Sequence, residues 1–173
     1  YFLLEKMIEE VIRKESVFRT IYSGDTEIIN KHIKHILEYD KGRIKSNIGG
    51  YQSNDITFGF EELIAFIKQS LVNINIQAVL SNFWLNINNG NDYNLAHIHD
   101  LDHVSIVYYH KVCCENTPIV FLDIVPHIRD WTYNIVPKQG ELLIFGADMP
   151  HSVSACGNPD HQRISIAFNF RKL

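Results

Sequence analysis

The chain has too few cysteines for a disulfide framework. It holds three, Cys113, Cys114 and Cys156, an odd number with two of them adjacent, and that usage points to a reducing compartment. The Cys113-Cys114 pair reads as strand-end packing before it reads as a redox pair. No run approaches the roughly 18 apolar residues of a membrane span. The opening Tyr1-Phe2-Leu3-Leu4-Glu5-Lys6 turns charged too soon for a secretory signal, so a cytoplasmic location is expected. It begins at Tyr1 and not at Met, which leaves room for a trimmed or missing start. A basic excess is missing as well: 16 Lys and Arg stand against 20 Asp and Glu, which argues against a sequence-independent grip on nucleic acid. There are no repeats, linkers or low-complexity tracts.

What remains is an ordinary globular composition, 46% hydrophobic and 21% charged over 173 residues, and it predicts one domain over 1–173. The pattern changes near residue 75. Before it, Leu4, Met7, Ile8, Val11 and Ile12 recur at helical spacing, as do Ile29, Ile33, Ile36 and Leu37. Ser23 or Asp25 is the expected cap of the second helix. A third helix is predicted from Phe60 to Leu71. Residues 1–75 therefore read as a mainly helical support layer.

After residue 75 the reading is eight short strands: Ala78–Asn88, Leu95–His99, Val104–Val112, Ile119–Ile124, Trp131–Val136, Glu141–Phe145, Ser152–Cys156 and Arg163–Phe170. Turn residues such as Asn88-Asn89-Gly90-Asn91 and Lys138-Gln139-Gly140 separate them. Strands at this spacing predict a jelly-roll sandwich or barrel. In the last one, Ile164, Ile166, Phe168 and Phe170 alternate with Arg163, Ser165, Ala167 and Asn169. One face is apolar. The other carries groups that a dry core would not hold unless something polar sat beside them.

Histidines carry the chemistry. Residues two apart on a strand share a face, so His97 and His99 can present two imidazoles together. Pro150-His151 brings a third. Three nitrogen ligands on one side of an octahedral ion leave the other positions open, as a non-haem iron oxygenase needs. Taken singly, a histidine is more often an ordinary core or surface residue. His32 and His35 read as solvated, and His103, His110, His127 and His161 have no partner spacing. Three histidines are the favoured set. Asp100 or Asp102 is the fallback for His99, because a carboxylate is the usual third ligand in such oxygenases, and Asp100 could instead accept from an imidazole N–H. Arg163 offers a planar fork suited to a carboxylate, Ser165 faces the same way, and Tyr109 can add a phenolic donor. The polar face Asn82, Trp84, Asn86, Asn88 is either a solvated edge or, with Tyr51, Gln52 and Asn169, the wall of a substrate pocket.

These residues, together with Ser46-Asn47-Ile48-Gly49-Gly50-Tyr51-Gln52-Ser53, Ser105-Ile106-Val107-Tyr108-Tyr109 and Arg163-Ile164-Ser165-Ile166-Ala167-Phe168-Asn169, resemble the iron(II)- and 2-oxoglutarate-dependent dioxygenase superfamily. The likeness is to a group of oxygenases of bacteria and phages and, more distantly, to prolyl hydroxylases. It implies an α+β fold: a double-stranded β-helix (jelly-roll) core, 76–173, with N-terminal helices packed on one sheet. It implies Fe(II) and 2-oxoglutarate as cofactors and hydroxylation of a small-molecule or peptidyl substrate, with release of succinate and CO2. It places His97 and His151 as ligands, His99 where most of the superfamily has a carboxylate, and Arg163, Ser165 and Tyr109 around the distal carboxylate of 2-oxoglutarate. Two rivals stay open: a cupin-like three-histidine metalloenzyme that does not use 2-oxoglutarate, and a non-catalytic binding module.

Overall fold

Alternation of apolar and polar residues builds two facing antiparallel sheets, and two helices add their apolar sides to the larger one. The computed structural model describes residues 8–12, 15–112, 117–123 and 131–173. The elements are β1 (Ile8–Ile12), β2 (Glu15–Ile21), α1 (Thr26–Tyr39), β3 (Asn47–Ile48), β4 (Tyr51–Gln52), α2 (Glu61–Asn73), β5 (Ala78–Asn89), β6 (Tyr93–His97) and β7 (His103–Lys111). They continue with β8 (Ile119–Asp123), β9 (Trp131–Ile135), β10 (Glu141–Gly146), β11 (His151–Val153) and β12 (Gln162–Lys172). One sheet runs β1-β2-β10-β7-β12-β5-β4 and the other β3-β6-β11-β8-β9. No described helix is long and apolar enough to cross a membrane.

The first helix expected from the sequence is corrected. Ile8–Ile12 and Glu15–Ile21 are paired strands, and Leu143 and Arg19 are among the partners that dock β2 on β10. Extending the sheet past β10 outweighs the local helical spacing, because strand pairing is a long-range gain that a short window does not register. Leu4, Met7, Cys113, Cys114 and His127 lie outside the described residues. Helix α1 is capped by Asp25, whose Oδ1 accepts from the Glu27 backbone N–H at 2.8 Å. Helix α2 begins after Phe60, which sits at φ 65° with no side-chain cap. That left-handed turn is tolerated because the ring is 2% exposed and packs against Phe83, with centroids 5.9 Å apart.

The core lies in two places. The larger cluster joins Ile29, Ile33, Leu63 and Ile67 of the helices to Leu85, Ile106, Phe168 and Phe170 of the large sheet. A smaller one fills part of the space between the sheets with Tyr109, Ile119, Phe121, Leu143, Phe145 and Met149. The rest of that space is lined by amides, hydroxyls and imidazoles interspersed with apolar side chains. Gly49 and Gly50, at φ 69° and 60°, turn the chain from β3 of one sheet to β4 of the other, a conformation glycine adopts without the Cβ clash. The Asp92 carboxylate occupies the space a Cβ at Gly49 would need.

Candidate metal centre

Strands β6 and β11 are neighbours, and their register sets His97 directly opposite His151. Their ring centroids are 4.4 Å apart. His99 arrives differently from the sequence expectation. Strand β6 ends at His97, and His99 lies in the extended segment beyond it, pinned where its backbone N–H donates to the Ala147 carbonyl at 2.8 Å. Its ring lies parallel to that of His151, at 1° and 5.2 Å, and 5.2 Å from that of His97. One nitrogen from each of the three rings falls within 4.8 Å of the others, and among the described residues they are the one such group.

Hydrogen bonds set the tautomers of two rings. His97 Nδ1 is 2.8 Å from the Leu95 carbonyl and His151 Nδ1 is 2.9 Å from the Met149 carbonyl. A carbonyl only accepts, so each Nδ1 carries the proton and each Nε2 keeps its lone pair for a metal. Burial lowers all three pKa values and the neighbouring imidazoles add to the fall for His99 and His151, taking His99 to about 4 and His151 to about 3. Neutral imidazole, the ligating form, is thus held at neutral pH.

Neither fallback acid joins the group of three rings. Asp100 is exposed, and Asp102 Oδ1 lies 2.6 Å from Nδ1 of the buried His103. His110 bonds Asn30 at 2.6 Å, and His161 lies 3.4 Å from the Cys156 sulfur.

The rings border a narrow cavity of about 50 Å³ between the sheets, below the usual range of about 300–1,000 Å³ for small-molecule sites. Tyr109 and Ser165, opposite each other on β7 and β12, line it with Asn86 and Trp84. Arg163 is 3% exposed and donates from Nη1 to the Thr117 carbonyl at 3.3 Å. Its charge is felt at Tyr109: burial raises that phenol's pKa, and Arg163 partly offsets the rise. A more open groove of about 660 Å³ lies outside, and Gln52, Asn169 and Trp84 border it. Ser46, Trp84, His97 and His99 line both spaces and form the wall between them. Tyr51 borders neither. Its hydroxyl donates to the Asp40 carbonyl at 3.2 Å, and burial beside Asp40 pushes its pKa up to about 12.

Sequence reasoning missed a second polar string. Asn88 Nδ2 donates to Asn94 Oδ1 at 3.1 Å, and Asn94 Nδ2 donates to Ser46 Oγ at 3.2 Å. The signal was Asn94 itself, an amide between Tyr93 and Leu95 in a strand that leads to His97. A buried amide needs partners, and here they tie β5, β6 and Ser46, the residue before β3, together beside the rings.

Fold and site define a jelly-roll protein with an imidazole cluster set between its two sheets, the architecture of non-haem metal oxygenases. The family model described as "Putative 2OG-Fe(II) oxygenase" matches residues 82–169, just over half of the chain, and the protein belongs to that family. Solved structures share the fold at low identity. A prolyl-4-hydroxylase of Pseudomonas putida superposes with a TM-score of 0.65 at 14% identity, over 91% of this chain and 92% of its own. HygX of Streptomyces hygroscopicus, solved with nickel, 2-oxoglutarate and hygromycin B, gives 0.66 at 10% identity, over 90% and 82%. A collagen prolyl hydroxylase of Paramecium bursaria Chlorella virus-1, solved with 2-oxoglutarate, gives 0.58 at 14% identity, over 91% and 96%. A search of curated proteins found no match.

Proposed function

We propose that this chain is an iron(II)- and 2-oxoglutarate-dependent dioxygenase of the hydroxylating kind, with His97, His99 and His151 as metal ligands and Arg163, Ser165 and Tyr109 as the cosubstrate clamp. One observation carries the reading: three neutral imidazoles converge within 4.8 Å at the edge of a cavity between the sheets. The donor set suits iron, since imidazole binds first-row metals well and two of the rings are already turned with Nε2 available. When bound, iron and 2-oxoglutarate supply oxygen activation coupled to formation of succinate and CO2.

The chain's own residues do the binding and orienting. Three neutral ligands leave the full charge of the ion in place, which favours a dianionic cosubstrate. Arg163 gives a permanent cation with a planar fork. The clamp closes when the guanidinium exchanges the Thr117 carbonyl for a carboxylate, a stronger charge-assisted pair. Tyr109 and Ser165 add hydroxyl donors from facing positions, and the phenol, raised by burial, stays protonated. Substrate approaches through the outer groove past Gln52, Asn169 and Trp84. It is a small molecule or a peptidyl side chain, the latter by analogy with prolyl hydroxylases of the same fold.

His99 itself favours a second reading. A third imidazole in place of a carboxylate is the ligand set of cupin-like enzymes that do not use 2-oxoglutarate. Calorimetric titration of the manganese-loaded protein with 2-oxoglutarate, followed by an aerobic succinate assay with iron, separates the cases. Binding with succinate formation is expected. Metal uptake without 2-oxoglutarate binding would favour the cupin-like reading, and no metal uptake would leave only a binding module.

A further inference from the structure

We infer that Trp84 is the positioning residue for the third metal ligand, replacing by ring stacking the hydrogen bond that orients the other two. The inference rests on the three-histidine reading above. His97 and His151 each have Nδ1 tied to a backbone carbonyl. Among the described residues no hydrogen bond holds the His99 ring, and its backbone has already left the strand. An imidazole in that position would rotate freely about its side-chain bonds unless its faces were covered. They are covered. The Trp84 indole lies 5.7 Å away at 21°, and His151 lies parallel at 5.2 Å.

Trp84 is itself held from several sides. It sits on β5 opposite Ala167, a small residue that leaves room for the indole. The Arg43 guanidinium lies over its ring at 5.9 Å, and Arg43 Nη2 donates to Asp55 Oδ1 at 2.6 Å. The same oxygen accepts from Asn82 at 3.4 Å, Asn82 accepts from Asn169 at 3.1 Å, and Asn169 accepts from Ser105 at 3.3 Å. A column thus runs from a ladder on β5, β12 and β7 through Arg43 and Trp84 to His99. A core-filling role does not account for the indole. It is only 9% exposed, yet it belongs to neither apolar cluster. It stands instead in the wall between the inner cavity and the outer groove.

Cobalt(II) is the probe, read by calorimetry and by its visible ligand-field bands, in the full chain and its variants. Wild type binds the ion. Trp84→Ala is expected to bind about tenfold more weakly, the loss typical of removing a group that orients a ligand, and its bands should shift part of the way toward those of His99→Ala. Trp84→Phe, which keeps a stacking face, should restore both readouts. The double variant Trp84→Ala/His99→Ala should bind no more weakly than His99→Ala, since the indole acts only through that ring. A general packing role would instead lower affinity equally in both backgrounds. Should Trp84→Ala not fold, Arg43→Ala, which removes only the outer cap, takes its place and should show a smaller loss in the same direction. Wild-type affinity and bands in the variant, or an additive loss in the double variant, would overturn the role of Trp84 and leave the ligand set standing. Failure of wild type to bind cobalt at all would remove the ligand set, and the inference with it.

Discussion

Strands β5 and β12 each present two faces of opposite character, and adjacent residues live under different rules. On the side toward the helices, Phe83, Leu85 and Ile87 of β5 meet Ile166 and Phe168 of β12 in one apolar cluster. On the side toward the second sheet, Trp84 and Asn86 of β5 face Ser165 and Ala167 of β12 around the cavity. The period-2 geometry of a strand separates stability from chemistry within a single stretch of chain. Shifting β5 by one residue would bury its amides among the helices and turn its phenylalanine and leucine toward the rings. The two faces are therefore separately breakable.

The largest effect is expected on the dry face. Leu85, fully buried and next to Trp84 in sequence, should cost about 2–5 kcal/mol of folding stability when truncated to alanine, from lost burial and the cavity left behind. Denaturant titration reads that loss. Metal uptake measured well below the unfolding transition should be unchanged, and a variant that lost both together would show the faces to be coupled. His151→Ala is the converse on the wet face. It deletes a ligand outright, so metal affinity should fall by more than the about 100-fold that losing an orienting partner can cost. Stability of the metal-free chain should fall only modestly, by about 1–3 kcal/mol, because the Met149 carbonyl loses its donor and the ring its packing on Phe145. Equilibrium dialysis against nickel(II), beside a thermal melt of the metal-free form, tests both halves.

Arg163→Lys probes the far end of the wet face with a smaller change. The charge is kept and the fork is lost. One charge-assisted bond is worth about 1.5–3 kcal/mol, so 2-oxoglutarate should bind the manganese-loaded variant at least about tenfold more weakly, with manganese affinity itself unmoved. Calorimetry showing unchanged 2-oxoglutarate affinity would take Arg163 out of the clamp.

The contrast of the two faces also explains what the sequence made legible. Strands β5, β7, β10 and β12 were readable because alternation and turn residues are local signals. The histidine set was readable because His97 and His151 sit on paired strands and His99 follows at once. Strands β1 and β2 were not, since their place is decided by the edge of β10, more than a hundred residues away. The orienting partners of the rings were hidden for a related reason. Leu95 and Met149 act through backbone carbonyls, which have no sequence signature, and the string from Asn88 to Ser46 joins three separate segments.

Tyr51 shows the same limit at one residue and makes the smallest prediction. In sequence it adjoins Gln52, and both read as pocket residues. In the fold they take opposite sides of β4. Gln52 is buried and borders the outer groove, whereas the Tyr51 hydroxyl turns to the Asp40 carbonyl at the end of α1. The pairing partners, Ile87 for Tyr51 and Asn86 for Gln52, fall on the dry and wet faces of β5 respectively, so the alternation of β5 carries over to β4. Tyr51→Phe should therefore behave as a dry-face change. It removes one hydrogen bond and should cost about 1 kcal/mol of stability, with metal and 2-oxoglutarate affinities at wild-type values. A fall in 2-oxoglutarate affinity without a fall in stability would return Tyr51 to the pocket.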